Sequence, residues 1–167
     1  ENPRLEAHFD SLGQNVENSL SMFLEFVIKT YWKDDQVFRS SIFLHDAIKK
    51  ELRMRVGYNM SGYIDYMIPI PDEKGNVGMA FDRKAPMIFD ATVIKHEDRG
   101  VDSSKVWKEM KSILSVPILD SSNISLGVLS IDTNKRYSDA KFDEKNLNES
   151  LMILTRAMGG LLEGRTS

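Results

Sequence analysis

The chain has 167 residues, 41% hydrophobic and 28% charged. That size and balance suit one globular domain with its own core and exclude disordered, collagen-like and mucin-like classes. The net charge is −3, and it is uneven: residues 1–32 hold five acids and two bases, and the remainder holds twenty of each. A body with no basic excess excludes general nucleic-acid binding.

There is no cysteine. A disulfide framework, thiol catalysis, thiol redox sensing and a thiol-attached cofactor are excluded. The composition fits a cytoplasmic protein, or the cytosolic part of a membrane-anchored one. The longest apolar run, Met22 to Ile28, is interrupted by Glu25 and is far short of the roughly 20 residues that span a bilayer. The chain opens at Glu1 without an initiator Met and is read as a fragment.

Residues 1–32 are expected to form one helix. Leu5, Phe9, Leu12, Val16, Leu20, Phe23 and Val27 recur at intervals of three and four, which is the seam of a coiled coil or of a packed helix. Pro3 suits a first turn. The stripe fits packing on the helix's own domain, pairing with a second copy, or both. From residue 36 the period becomes that of strands. Val37 to Leu44 reads as a strand, His45 to Lys50 as a turn, and Glu51 to Val56 as its alternating partner. Met67 to Pro71 is a short third strand whose prolines suit an edge. Asp72 to Lys84 holds a turn and a short helix, stopped by Lys84-Ala85-Pro86, and Met87 to Phe89 is extended. Residues 90–110 are polar, with helical spacing between Val106 and Met110. Ser112 to Leu119 and Ile124 to Asp132 form a second hairpin around Asp120 to Asn123. A last helix is expected from about Asp139 to Leu162, with Leu147, Leu151, Leu154, Met158 and Leu161 as its stripe. Two hairpins, a five- or six-stranded antiparallel sheet and terminal helices make an α+β sandwich.

These elements, from Lys33 to Leu162, resemble the GAF domain family. The resemblance rests on Ile68-Pro69-Ile70, on Gly75-x-x-Gly78-x-Ala80-Phe81, on Pro86, and on Ser112 to Ile118 followed by Gly127 to Ile131. It implies a signalling helix over 1–32 and a GAF-like domain over 33–163. The terminal helices would pack on one sheet face, and short helices would cover a ligand pocket on the other. Asn134-Lys135 and Phe142-Asp143-Glu144 are similar to a motif of the cyclic-nucleotide-binding branch found in phosphodiesterases and adenylyl cyclases. The three-residue gap which that branch has after Phe is missing here. Arg99-Gly100-Val101-Asp102 is also similar to a stretch of that branch. The resemblance implies a regulatory sensor for cAMP or cGMP, with no required cofactor and no catalytic role; the alternatives are a sensor for another small metabolite and a ligand-free dimerisation module. The sensor would act as a homodimer through its terminal helices on an output domain of the same parent chain. The methionine-sulfoxide-reducing members of the family need cysteines, which this chain lacks.

The candidate ligand residues have readings of their own. Gly75 to Gly78 opens a helix whose first N–H groups, at Asn76 and Val77, can hold an anion; the same pattern also makes a tight turn. Asp102, Ser103 and Ser104 can hydrogen-bond a purine edge or a ribose, or cap the helix that follows. Tyr58 can stack on a base or fill the core. Ser130 alternates with Leu129 and Ile131 and so faces away from them. Phe142 can anchor the last helix in the core. Asp143 and Glu144 suit the positive end of that helix, and Lys135 is expected to pair with one of them as a structural lock. His8, His45 and His96 have no metal-ligand spacing.

Overall fold

A computed structural model describes residues 14–33, 36–60, 67–71, 75–91 and 109–163. Its elements are α1 (Gln14–Trp32), β1 (Phe38–Asp46), β2 (Glu51–Tyr58), β3 (Met67–Pro69), α2 (Asn76–Arg83), β4 (Met87–Asp90), β5 (Ser112–Leu119), β6 (Ser125–Thr133) and α3 (Lys145–Glu163). The six strands form one antiparallel sheet in the order β3-β2-β1-β6-β5-β4. The α+β class and the six-stranded sheet agree with the sequence. Residues 1–13 of the expected first helix lie outside the described residues.

The central strands alternate between two cores because successive side chains point to opposite faces. Phe38, Ile42 and Leu44 of β1, Leu114, Val116 and Ile118 of β5, and Leu129 and Ile131 of β6 pack with α1 and α3. Phe43 of β1 and Val128 of β6 pack with Leu52, Ile68 and with Val77 and Ala80 of α2. The larger core therefore lies under the terminal helices. The smaller one lies under α2.

α1 presents Val16, Leu20, Leu24, Val27 and Ile28 to the sheet and leaves Met22 and Phe26 exposed. Its C-terminal end is fixed by an aromatic cluster. Trp32 stacks on Phe38 with centroids 4.9 Å apart and meets Phe142 edge-on at 5.8 Å. Its Nε1 donates to the Ala140 carbonyl at 2.9 Å. Such aromatic pairs add about 0.5–1.5 kcal/mol to the area they bury.

α3 starts at Lys145, six residues after the expected Asp139. The chain before it makes turns instead: the Phe142 N–H donates to the Tyr137 carbonyl, and Lys141 has φ 63, which an α-helix does not accommodate. The buried stripe of α3 runs through Leu147, Leu151, Thr155, Met158, Gly159 and Leu162. Leu161, expected in the stripe, is exposed. At Gly159 the helix comes so near the sheet that a β-carbon would stand 1.9 Å from the Leu119 carbonyl oxygen. Only glycine permits that approach.

The first hairpin turn is shorter than expected. β1 continues to Asp46, whose Oδ1 accepts from the Ile48 and Lys49 N–H groups at 3.1 and 3.0 Å. This Asx-type turn lets His45 remain in the strand.

Candidate functional site

The sheet face under α2 divides into an apolar half and a polar half. The apolar half lies toward the β1–β2 turn, where Phe43, Leu52 and Val128 meet Val77 and Ala80. His45 packs edge-on against Phe81 of α2 at 4.9 Å, and Ser125 Oγ donates to the Phe81 carbonyl at 2.7 Å. Burial holds the His45 imidazole below its ordinary pKa, with the Asp46 carboxylate acting in the opposite direction.

The polar half begins two residues further along each strand. Ser41 of β1 faces Ser130 of β6, which faces Ser115 of β5, which faces Met87 of β4. All three serines are buried. Gly57 of β2 extends the row beyond Ser41 with no side chain. The next polar row is Arg39 opposite Asp132. Arg39 Nε and Nη2 donate to the two Asp132 carboxylate oxygens at 2.6 and 2.7 Å. The side chains keep only 11% and 19% exposure, so this fork is largely desolvated. Burial pushes the Asp132 carboxyl above the usual carboxylate range, while the Arg39 hydrogen bonds and charge pull it down.

Asn76, the first residue of α2, reaches from the helix to the serine row. Gly75 is its N-cap, in extended conformation and without a side-chain capping bond. Asn76 Nδ2 donates to the Met87 carbonyl at 3.0 Å and to Ser115 Oγ at 2.8 Å. Its Oδ1 is enclosed and has no hydrogen-bond partner, although the residue is only 6% exposed. Buried carbonyl oxygens are rarely left so, because the unmade bond costs about 1–3 kcal/mol.

Of the sequence-derived candidates, Asn76, Val77 and Ser130 belong to this side of the sheet. Ser130 faces away from Leu129 and Ile131 as alternation requires. Val77 contributes a buried side chain to the smaller core. Asp102, Ser103 and Ser104 lie outside the described residues.

Tyr58 is a correction. It packs with Val56 against the larger core, under the terminal helices. The register of β2 against β1 shifts between Ile42 and Phe43, and this bulge at Arg55 reverses the alternation. Leu52 and Met54 therefore face α2, whereas Val56 and Tyr58 face the terminal helices.

The Asn134 to Glu144 motif also belongs to the terminal-helix side. Phe142 is fully buried there, as expected of a core anchor. Lys135 Nζ lies over the Phe38 ring, 5.2 Å from its centroid, and its carbonyl accepts from Ser112 Oγ at 2.8 Å. Glu144 meets Lys141 at 3.7 Å, and Asp143 is exposed. One contact of the Lys135 ammonium is thus with an aromatic face, and the expected pair with Asp143 or Glu144 is not among the ion pairs of the described residues. Asn134, at the end of β6, is half-buried.

Sequence reasoning missed Ser41, Ser115, Arg39 and Asp132 as parts of one face. Among the described residues no group of three or more His, Asp or Glu can hold a metal ion. No helix there is long and apolar enough to cross a membrane.

No family model matches the sequence, and no curated protein does. Solved structures do match. The GAF domain from an Acinetobacter phosphoenolpyruvate-protein phosphotransferase is 16% identical with a TM-score of 0.67, over 97% of this chain and 90% of that one. The GAF domain of a two-component sensor histidine kinase from Bacillus halodurans is 21% identical with a TM-score of 0.55, over 86% and 93%. This chain has the GAF fold. A free methionine-R-sulfoxide reductase from Neisseria meningitidis, solved with its substrate, also matches, at 20% identity and TM-score 0.57 over 90% and 83%. The GAF fold thus includes regulatory domains and an enzyme, and the fold alone does not choose between them.

Proposed function

We propose that this chain is a regulatory sensor domain that binds a small molecule between α2 and the polar half of the sheet. The observation that carries this reading is Asn76. A buried amide that joins helix to sheet, with its Oδ1 unpartnered beside a row of serines, offers hydrogen bonds the fold does not use. The Bacillus halodurans relative is a domain of a sensor histidine kinase, which supports a signalling role, as does the absence of cysteine for thiol chemistry. The signal would leave through α1 and α3 to an output domain of the same parent chain in the cytoplasm.

Cyclic AMP and cyclic GMP are the finer reading drawn from the sequence motifs. Their weight is reduced by position: Lys135 and Phe142 serve the core under the terminal helices, on the opposite face from Asn76. The test is a thermal-shift panel of cyclic nucleotides, nucleosides, amino acids and small carboxylates. A true ligand at 100 times its dissociation constant raises stability by about 2.7 kcal/mol. A panel without any shift would remove the sensor reading.

A second reading is a dimerising module without a ligand. Met22 and Phe26 on α1 and Ile153 and Leu161 on α3 are all more than half exposed, which favours pairing of the terminal helices with a second copy. Light scattering decides it: a monomer at high concentration excludes the module.

A further inference from the structure

We propose that the ligand is uncharged and presents a lactam edge, an N–H beside a C=O in one ring, to Asn76 and Ser115. This rests on the sensor reading above and narrows it. The Met87 carbonyl can only accept, so the Asn76 atom 3.0 Å from it must be the nitrogen. The second bond of that nitrogen, to Ser115 Oγ, uses its other proton. Oδ1 is therefore the open end of the amide, and it can only accept. Ser115 Oγ, already accepting from Asn76, retains its own proton to donate. An acceptor and a donor side by side are the complement of a lactam's N–H and C=O.

Charge argues the same way. Arg39 and Asp132, the charged pair on this face, neutralise each other through two hydrogen bonds. An anion or cation brought beside the serines would be desolvated next to a pair that already neutralises itself, which is costly. A neutral ring brings no such cost. The pleated serine row gives it a flat floor, and Phe43, Val128 and Phe81 give it an apolar flank. Because Oδ1 is enclosed, the ring enters by displacing the Asn76–Ser115 bond, and the bond to the Met87 carbonyl alone then keeps the amide's orientation. The other end of α2 stays attached through the Ser125 bond to Phe81 and the His45–Phe81 contact.

The test is isothermal titration of the full chain with guanosine, inosine, uridine, adenosine and cyclic GMP. Guanosine, inosine and uridine carry an uncharged lactam; adenosine lacks the lactam N–H; cyclic GMP adds an anion to guanosine's base. At least one lactam nucleoside is expected to bind about tenfold or more tightly than adenosine, and guanosine more tightly than cyclic GMP. Cyclic GMP binding as well as guanosine overturns the neutrality argument and leaves the sensor reading standing. Adenosine binding equally overturns the lactam argument and also leaves that reading standing. If none of the five binds, this proposal falls, and the wider thermal-shift panel alone decides the sensor reading. Ser115→Ala removes the donor while Asn76 keeps Met87. In a variant with unchanged circular dichroism, lactam affinity should fall about fivefold; unchanged affinity overturns the assignment.

Discussion

The two faces of one sheet are built on different terms. Under α1 and α3 the strands present Phe38, Ile42, Leu114, Ile118, Leu129 and Ile131, closed by Trp32 and Phe142. Under α2 the same strands present Ser41, Ser115, Ser130, Arg39 and Asp132, with a smaller apolar cluster beside them. The first arrangement maximises apolar burial, the main favourable contribution to folding. The second buries a continuous row of polar side chains across three strands; each face leaves a buried polar atom unpaired, Asn76 Oδ1 here and Ser40 Oγ on the other. Sites where a fold departs from its own stability rules are where function is expected. The terminal-helix face thus carries most of the apolar core, and the proposed site lies on the α2 face.

The largest effect expected from breaking this division is at Phe142. It is fully buried and meets both Trp32 and Phe38 edge-on. Phe142→Ala should cost about 3–5 kcal/mol in urea unfolding. A cost near zero would mean that the motif around Phe142 is not a core anchor. Next comes the polar face. Arg39→Met leaves the Asp132 carboxyl buried without its fork and should cost about 3 kcal/mol at pH 7. The cost should shrink at pH 4. A carboxyl whose folded pKa lies above its unfolded value contributes its stability below the unfolded value and loses it as pH rises through the folded one. Burial already moves Asp132 in that direction, and removing Arg39 moves it further. Equal losses at both pH values would show that Asp132 is well solvated.

Much of the fold was legible because it depends on local periodicity. Alternation along Ser112 to Ile118 and Gly127 to Ile131 located β5 and β6, and Gly75-x-x-Gly78 with Lys84-Ala85-Pro86 located α2. It also assigned Ser130 to the correct face. The site was legible only in fragments, because its rows are set by register between strands distant in sequence. Ser41, Ser115 and Ser130 each look like ordinary strand serines until β1, β6 and β5 are aligned. Tyr58 takes the core reading over the base-stacking one because one extra residue in a strand, at Arg55, reverses every side chain after it. The start of α3 was misread because Lys141 in left-handed conformation interrupts a stretch whose composition suits a helix. Asn76 was singled out for its backbone N–H, whereas its side chain makes the contacts to the sheet.

His45 sharpens the comparison on a smaller scale. Its ring is held against Phe81, and burial lowers its pKa. A histidine whose folded pKa is depressed binds fewer protons folded than unfolded. Stability should therefore fall as pH drops below about 6.5. The loss should be reported first by the contact between α2 and the sheet. His45→Phe should flatten the melting temperature between pH 7 and pH 5.5 relative to the parent chain. An unchanged slope would place the titrating group elsewhere.

The smallest effect has the opposite sign and tests the terminal-helix face directly. Ser40 follows Phe38 and precedes Ile42 in alternation on β1, so its side chain points to the larger core. Its Oγ is buried and has no hydrogen-bond partner. On a face built for apolar burial, a hydroxyl without a partner is a cost and not a device. Ser40→Ala removes the hydroxyl and keeps the β-carbon, leaving almost no cavity. Stability should rise by up to about 1 kcal/mol, the lower end of what an unsatisfied buried group costs. Ligand affinity should not change, because Ser40 and Asn76 lie on opposite sides of the sheet. Ser115→Ala provides the contrast, since it removes a hydroxyl that accepts from Asn76. If Ser40→Ala instead weakens ligand binding while the domain stays folded, the two faces are coupled, and the division of labour between them is wrong.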